Sequence, residues 1–156
     1  MPAGLLRGAA AGAAGTTVLN AVTYLDMVLR GRPSSSTPEQ LVETVAGEAG
    51  VRIPGDDDTR QNRLQGLGPL SGIAVGTAVG AAAGIVEHLL SRTGRRLPAP
   101  VAVLLISGAA MAASDVPLKT FGISDPGTWA AQDWAADVVP HLAYGLATYA
   151  TLRSMR

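Results

Sequence analysis

Gly68, Gly72, Gly76, Gly80 and Gly84 recur at intervals of four through an otherwise apolar stretch, Leu67 to Leu90. Four residues advance a helix by slightly more than one turn, so the glycines form one slowly drifting stripe. In water such a helix is poor, because each interior glycine costs about 1 kcal/mol relative to alanine. In lipid the same stripe lets a neighbouring backbone approach closely, as in GxxxG packing. His88 is the next step on the stripe, so the ladder ends in a titratable group. The pattern predicts a buried membrane helix.

The distribution of charge extends that expectation to the whole chain of 156 residues, a single domain by length. No charged residue lies between Arg7 and Asp26, between Arg63 and Glu87, or between Arg96 and Asp115, gaps of at least 18 residues each. That is about the length a helix needs to cross a ~30 Å hydrocarbon core. A fourth gap, Asp137 to Arg153, is only 15 residues long and spans only if Asp137 sits near a headgroup or inside a bundle. A soluble alanine-rich bundle would repeat charges along one face of every helix, and these segments lack them. The expected fold is therefore an all-α, four-helix transmembrane bundle, with spans at about 3–29, 67–90, 100–116 and 129–152. A short amphipathic helix at about 38–49 lies in the first connection. The expected location is a membrane, with the lipid bilayer as the principal partner.

Formal net charge is zero, which leaves no electrostatic footprint for nucleic acid. The absence of cysteine excludes disulfides, thiol catalysis and thiolate metal sites. Arg7 before an Ala/Gly-rich run is faintly like a signal peptide. The run has little leucine and stays apolar to Leu25, so a retained first helix is expected.

Within that first span Gly4, Gly8 and Gly12 form a second four-residue ladder, the natural antiparallel partner of the first. A ladder as long as Gly68–Gly84 also suits self-association, which makes a homo-oligomer or a larger membrane complex an alternative use. Asp26 is placed to pair with Arg30, and Asn20 to bond across to another helix. Gly31-Arg32-Pro33 ends the span. Thr37-Pro38-Glu39-Gln40 then gives a helix start, with Thr37 as cap and Gln40 closing the box. Leu41, Val42, Val45 and Ala49 follow at helical spacing opposite Glu39 and Glu43, hence the amphipathic helix. Asp56, Asp57 and Asp58 lack the spacing and glycine of a calcium loop and are expected to be solvated, with Asp58 or Thr59 capping the second span. Asp115 and Pro117 are expected to end the third. Three arginines in the 92–96 loop, a lone Lys119 in the next connection and two arginines after 152 place both termini in the cytoplasm. The first connection contradicts this with Arg30, Arg32, Arg52, Arg60 and Arg63, but it is longer and also carries six acidic residues, so the short loops carry the orientation.

Asp133, Asp137 and His141 share one stripe of the fourth span, and Pro140 frees the carbonyl of Ala136 from its helical bond. Tyr144 and Thr148 continue the stripe inward. In the expected topology Asp115 and Asp26 reach the same end, so carboxylates gather around one histidine at one membrane face. Ionisable groups inside a membrane usually face the bundle interior or a wet cavity. Such a cluster serves a proton or ion relay, or it locks helices together with each polar group satisfied by its neighbour. The locking role is the expected one. A metal site is a weaker reading, since only His141 and carboxylates are on offer and His88 falls at the opposite face. No Gly-x-Ser-x-Gly elbow, His-Glu-x-x-His pair or phosphate loop is present, so no catalytic residue and no cofactor is assigned. Trp129, Trp134 and Tyr149 are expected as interfacial anchors.

Pro117-Leu118, Gly122-Ile123-Ser124, Pro126, Trp129 and the acidic helix reaching His141-Leu142 together resemble the YagU-like family of small bacterial inner-membrane proteins. The glycine-rich opening helix ending in Gly31-Arg32-Pro33 is similar in style, whereas the stretch from Ser34 to Leu64 departs from the family. The resemblance covers about a third of the chain. It implies a multi-helix inner-membrane protein with no established activity and no site to carry over. The expected function is a non-enzymatic structural or accessory membrane component. The alternative is a small channel or transporter moving protons, cations or a small solute past Asp137 and His141.

Overall fold

The computed structural model describes residues 2–155, and within them the chain is all-α. Four long helices, α1 (Pro2–Arg30), α3 (Asp57–Arg92), α4 (Ala99–Thr120) and α5 (Ala131–Ser154), are accompanied by a short α2 (Thr37–Glu48). A single 3-10 turn, Pro126–Thr128, precedes α5. α1 packs along α3 and α5, and α4 closes the ring by touching α5 and α3, so α1 and α4 lie diagonally opposite. Contacts between Gly4 and Gly84, between Arg7 and Met155, and between Ser107 and Gly145 make each packed pair antiparallel. One end of the ring therefore collects the start of α1, the end of α3, the 92–96 arginines and the end of α5. The other end collects Asp26, Asp115 and Asp137.

The closest seam joins α1 to α3. A Cβ on Gly8 would sit 2.9 Å from the Cα of Gly84, and one on Gly4 would sit 3.0 Å from the carbonyl oxygen of Gly84. Farther along, Gly12 meets Gly76 and Gly80 backbone to backbone. Only glycine permits that approach, because any side chain on either helix would occupy the other's main chain. The ladder does not stay on this seam. Each four-residue step turns the stripe by about 40°, so by Gly72 it has rotated away from α1 and faces open space. Gly68 lies against Pro38 and Glu39 of α2 instead.

Several boundaries differ from the sequence expectation, each for a local reason. The second span starts ten residues earlier than 67, because Asp56 caps it: its carboxylate accepts the backbone N–H of Thr59 at 2.9 Å. α2 docks on this extension through the Arg60–Glu43 ion pair and a Gln61 to Glu39 hydrogen bond. Thr37 is the first residue of α2 and not its cap. Ser36 occupies the cap position without a side-chain bond to the helix backbone, and Gln40 donates to its hydroxyl. α4 runs a turn past Pro117 to Thr120, where Gly122 at φ +68° reverses the chain. A proline so near the end forfeits one backbone bond and no more. The fourth span begins at Ala131, since Trp129 and Ala130 are extended.

Burial is inverted relative to a water-soluble bundle. The buried side chains are small or polar, Ala11, Ala110, Thr16, Ser107 and Thr148 among them, with few large apolar ones. Leu70, Leu104 and Leu146 point outward at 60%, 61% and 60% exposure. Two helices, α3 and α4, are long and apolar enough to cross a membrane, and only 11% and 22% of their apolar windows are buried. The core helix of a soluble protein would be mostly covered. α1 and α5 have the length, at 29 and 24 residues, but fall short in apolar character. Asn20 and the threonines dilute α1, and Asp133, Asp137 and His141 dilute α5, so four spans on the apolar criterion reduce to two.

The seam makes a paired prediction. Gly80→Ala puts a methyl against Gly12 and within 2.6 Å of the Gly8 carbonyl oxygen, and should destabilise the protein in detergent by about 1–3 kcal/mol. Gly72→Ala meets nothing and should leave stability unchanged or raise it by up to about 1 kcal/mol. Thermal unfolding of the two variants side by side checks both.

Candidate functional site

Three of the residues singled out from the sequence come together at one end of the ring. His141 on α5 places Nδ1 2.9 Å from the Asp137 backbone oxygen and 3.2 Å from Asp137 Oδ1. A carbonyl oxygen only accepts, so Nδ1 carries the hydrogen and Nε2 is the nitrogen left to gain or lose a proton. Both side chains are largely covered, at 12% and 19% exposure. Asp115 on α4 lies near enough to interact electrostatically with both Asp137 and His141. Ser114 donates to Asp115 Oδ1 at 3.2 Å. Asp137 Oδ2 is buried and has no hydrogen-bond partner among the described residues. Two carboxylates so placed share a hydrogen bond only when one of them holds a proton.

The other two members of the expected stripe lie elsewhere. Asp133 is exposed, and its Oδ2 accepts the backbone N–H of Ala130 at 3.0 Å, which secures the first turn of α5. Asp26 is held by Arg30 at 3.1 Å and by Arg32 at 2.6 Å. The Arg30 pairing is the one its spacing predicts, and the second arginine reaches back from the turn. Asn20 makes no cross-helix hydrogen bond among the described residues, contrary to expectation. No group of three or more His, Cys, Asp or Glu side chains among the described residues has the arrangement of a metal site.

Inward from the cluster, Tyr144 fills the centre of the ring. It is 1% exposed, and its hydroxyl donates to the Gly76 carbonyl oxygen on α3 at 2.6 Å. Gly15 on α1 and Gly76 on α3 leave the room: a Cβ on Gly15 would fall 2.8 Å from the tyrosine ring. Thr148 packs beside it against Gly15, fully buried. Gly145 performs the matching task on the other side, where a Cβ would come within 2.8 Å of the Val103 carbonyl oxygen. Gly15 and Gly145 stand outside both sequence ladders. Their only sequence signal is the small residue opposite each, Thr148 and Ser107.

The other aromatic residues divide between the ends. Trp129 and Trp134 pack edge to face at 5.2 Å, and Trp129 Nε1 donates to Ser124 at 2.9 Å. With the exposed Tyr24 and Phe121 they form an aromatic rim at the aspartate end. Tyr149, expected as a third anchor, instead lines a groove at the arginine end.

Comparison of the chain with protein-family models, with curated proteins and with solved structures finds no match in any of the three.

Tyr144→Phe removes one buried hydrogen bond while keeping the ring that fills the centre. The expected loss is about 0.5–1.5 kcal/mol, measured as a lower unfolding temperature in detergent with unchanged helix content. No loss would mean that the ring alone holds α5 to α3.

Proposed function

We propose that this protein is a small multi-pass component of a bacterial inner membrane, a four-helix transmembrane bundle without catalytic activity that has a structural or accessory role. The observation that carries the reading is the inverted burial: glycine, alanine, serine and threonine inside, leucine and valine outside. Water offers no reason to expose those side chains on every long helix, whereas lipid tails solvate them as well as a protein core does. The aromatic rim at one end and the arginines at the other support the same placement, since aromatic residues favour interfaces and arginines the cytoplasmic side. α1 and α5 then cross with part of their polar character turned into the bundle, Thr16 and Thr148 being buried and Asp137 and His141 largely covered, which offsets their weaker apolar character. The resemblance to the YagU-like family implies the same location and architecture.

The lack of cysteine makes the topology directly testable by single substitutions. Gly94→Cys in the arginine loop should react with a membrane-impermeant thiol reagent only after cells are opened. Ser124→Cys in the α4–α5 connection should react in intact spheroplasts. The reverse pattern would invert the topology, and labelling of both positions from one side would exclude an odd number of crossings between them.

A second reading rests on one observation, the buried Asp137 Oδ2 beside Asp115 and His141. A proton held there would make the cluster the entry of a relay. Proton and monovalent-cation flux into liposomes carrying the purified protein separates the two. The structural reading expects no flux above empty liposomes, and lower unfolding temperatures for Asp137→Asn and His141→Ala. Flux that vanishes in both variants while they stay folded would establish the relay.

A further inference from the structure

At the arginine end α3 and α4 diverge from the turn around Gly94, and a groove of about 430 Å³ opens between them, backed by Tyr149 and Leu152 of α5. Its walls are apolar, with Val79, Val86, Leu105 and Ile106 among the side chains that face it. Its mouth is basic: Arg7, Arg95 and Arg96 line it against the single carboxylate of Glu87, with His88 beside them. Among the described residues Arg95 and Arg96 make no ion pair, while Arg7 is occupied with the Ala3 and Met155 carbonyl oxygens. Along α3 the lining runs from Val79 to Ser91, a rise of about 18 Å. One leaflet contributes about 15 Å, half of the ~30 Å hydrocarbon core. The groove thus has the depth of a leaflet, apolar where acyl chains lie and cationic where headgroup phosphates lie.

From this match we infer that the α3–α4 groove is a binding site for one anionic phospholipid of the surrounding leaflet. An acyl chain lies along Val79, Val86 and Leu105, and the headgroup phosphate is held by Arg95 and Arg96. Basic pockets between transmembrane helices on the cytoplasmic side are suited to anionic headgroups, and the two guanidiniums present several donors in a planar fork to phosphate oxygens. The inference rests on the transmembrane reading, because only a bundle set in a bilayer aligns the arginines with a headgroup layer.

Native mass spectrometry of the full-length protein, released from detergent with graded phosphatidylglycerol or phosphatidylcholine, tests it. The expected result is one retained phosphatidylglycerol per chain and no comparable retention of phosphatidylcholine. Arg95→Ala combined with Arg96→Ala should weaken phosphatidylglycerol binding about 30-fold, roughly fivefold per arginine. Ala109→Phe, on an exposed position at the deep end of the groove, should also abolish the one-to-one complex while leaving the arginines in place. Loss in the arginine variant alone would mean a surface charge effect and overturn the groove. Equal retention of the two lipids, or no change in either variant, would overturn the site altogether. Alkaline carbonate extraction of membranes from the same cells separates the failures. A chain that stays in the membrane pellet without lipid selectivity refutes only the site. One that washes off refutes the transmembrane reading and the site with it.

Discussion

Contact between the main chains of α1 and α3 is the constraint on which the other positions in the ring depend. Gly8 and Gly12 meet Gly76, Gly80 and Gly84 with no side chain between them. At that separation dispersion acts over two whole helix surfaces, which matters in lipid, where burial of apolar surface gives no gain. The register is fixed as well, since a slide of one residue would bring an alanine or valine against the opposite backbone. With the seam set, Thr16 falls opposite Gly76 and His88 opposite Gly4.

That register also sets where the centre of the ring opens. The glycine contact holds α1 and α3 together over the first half of α1, and beyond Gly12 the seam gives way to Thr16 and the space left by Gly15. Tyr144 occupies that space, the largest fully buried side chain among the described residues, in a ring otherwise packed mostly with small residues. Its hydroxyl is satisfied by the Gly76 carbonyl, a group already within the seam. The α5 helix is thereby positioned by the same glycine that positions α1. Most leucines and valines cover the outer surface, with Leu64 and Leu152 the buried leucines among the described residues.

Much of this was legible in the sequence because it depends on spacing within one helix. The two glycine ladders, their antiparallel pairing, the Asp26–Arg30 pair and the Asp137–His141 neighbourhood all follow from periods near one turn. What was not legible depends on rotation and on partners from elsewhere in the chain. The drift of the stripe decides that Gly72 drops out and Gly68 serves α2, and small angular steps accumulate beyond what a fixed interval conveys. Gly15 and Gly145 lie outside any ladder because each answers a single residue on another helix. Asp133 was assigned to the stripe by the same spacing that serves Asp137, yet it lies at the first turn of α5, where a carboxylate is better used on an exposed backbone N–H. The Asp56 cap went unrecognised because three successive aspartates offer equivalent chemistry and only the backbone at Asp56 is extended.

The polar stripe of α5 argues about its own use. From the Asp115–Asp137–His141 cluster the next polar group inward on the stripe is the Tyr144 hydroxyl, and after it Thr148. A relay requires each group to accept a proton on one side and release one on the other. Tyr144 donates its hydrogen to a backbone carbonyl, which accepts but has no proton to pass onward. In this conformation the stripe is closed one turn below His141, in the layer where Gly15 and Gly76 enclose the tyrosine ring. To pass a proton onward, the Tyr144 hydroxyl would have to turn from the Gly76 carbonyl and give up the hydrogen bond that ties α5 to α3. The element that would gate a pathway is thus the one that fills the centre of the bundle. That coupling favours the lock over the conduit as the role of the aspartates and histidine.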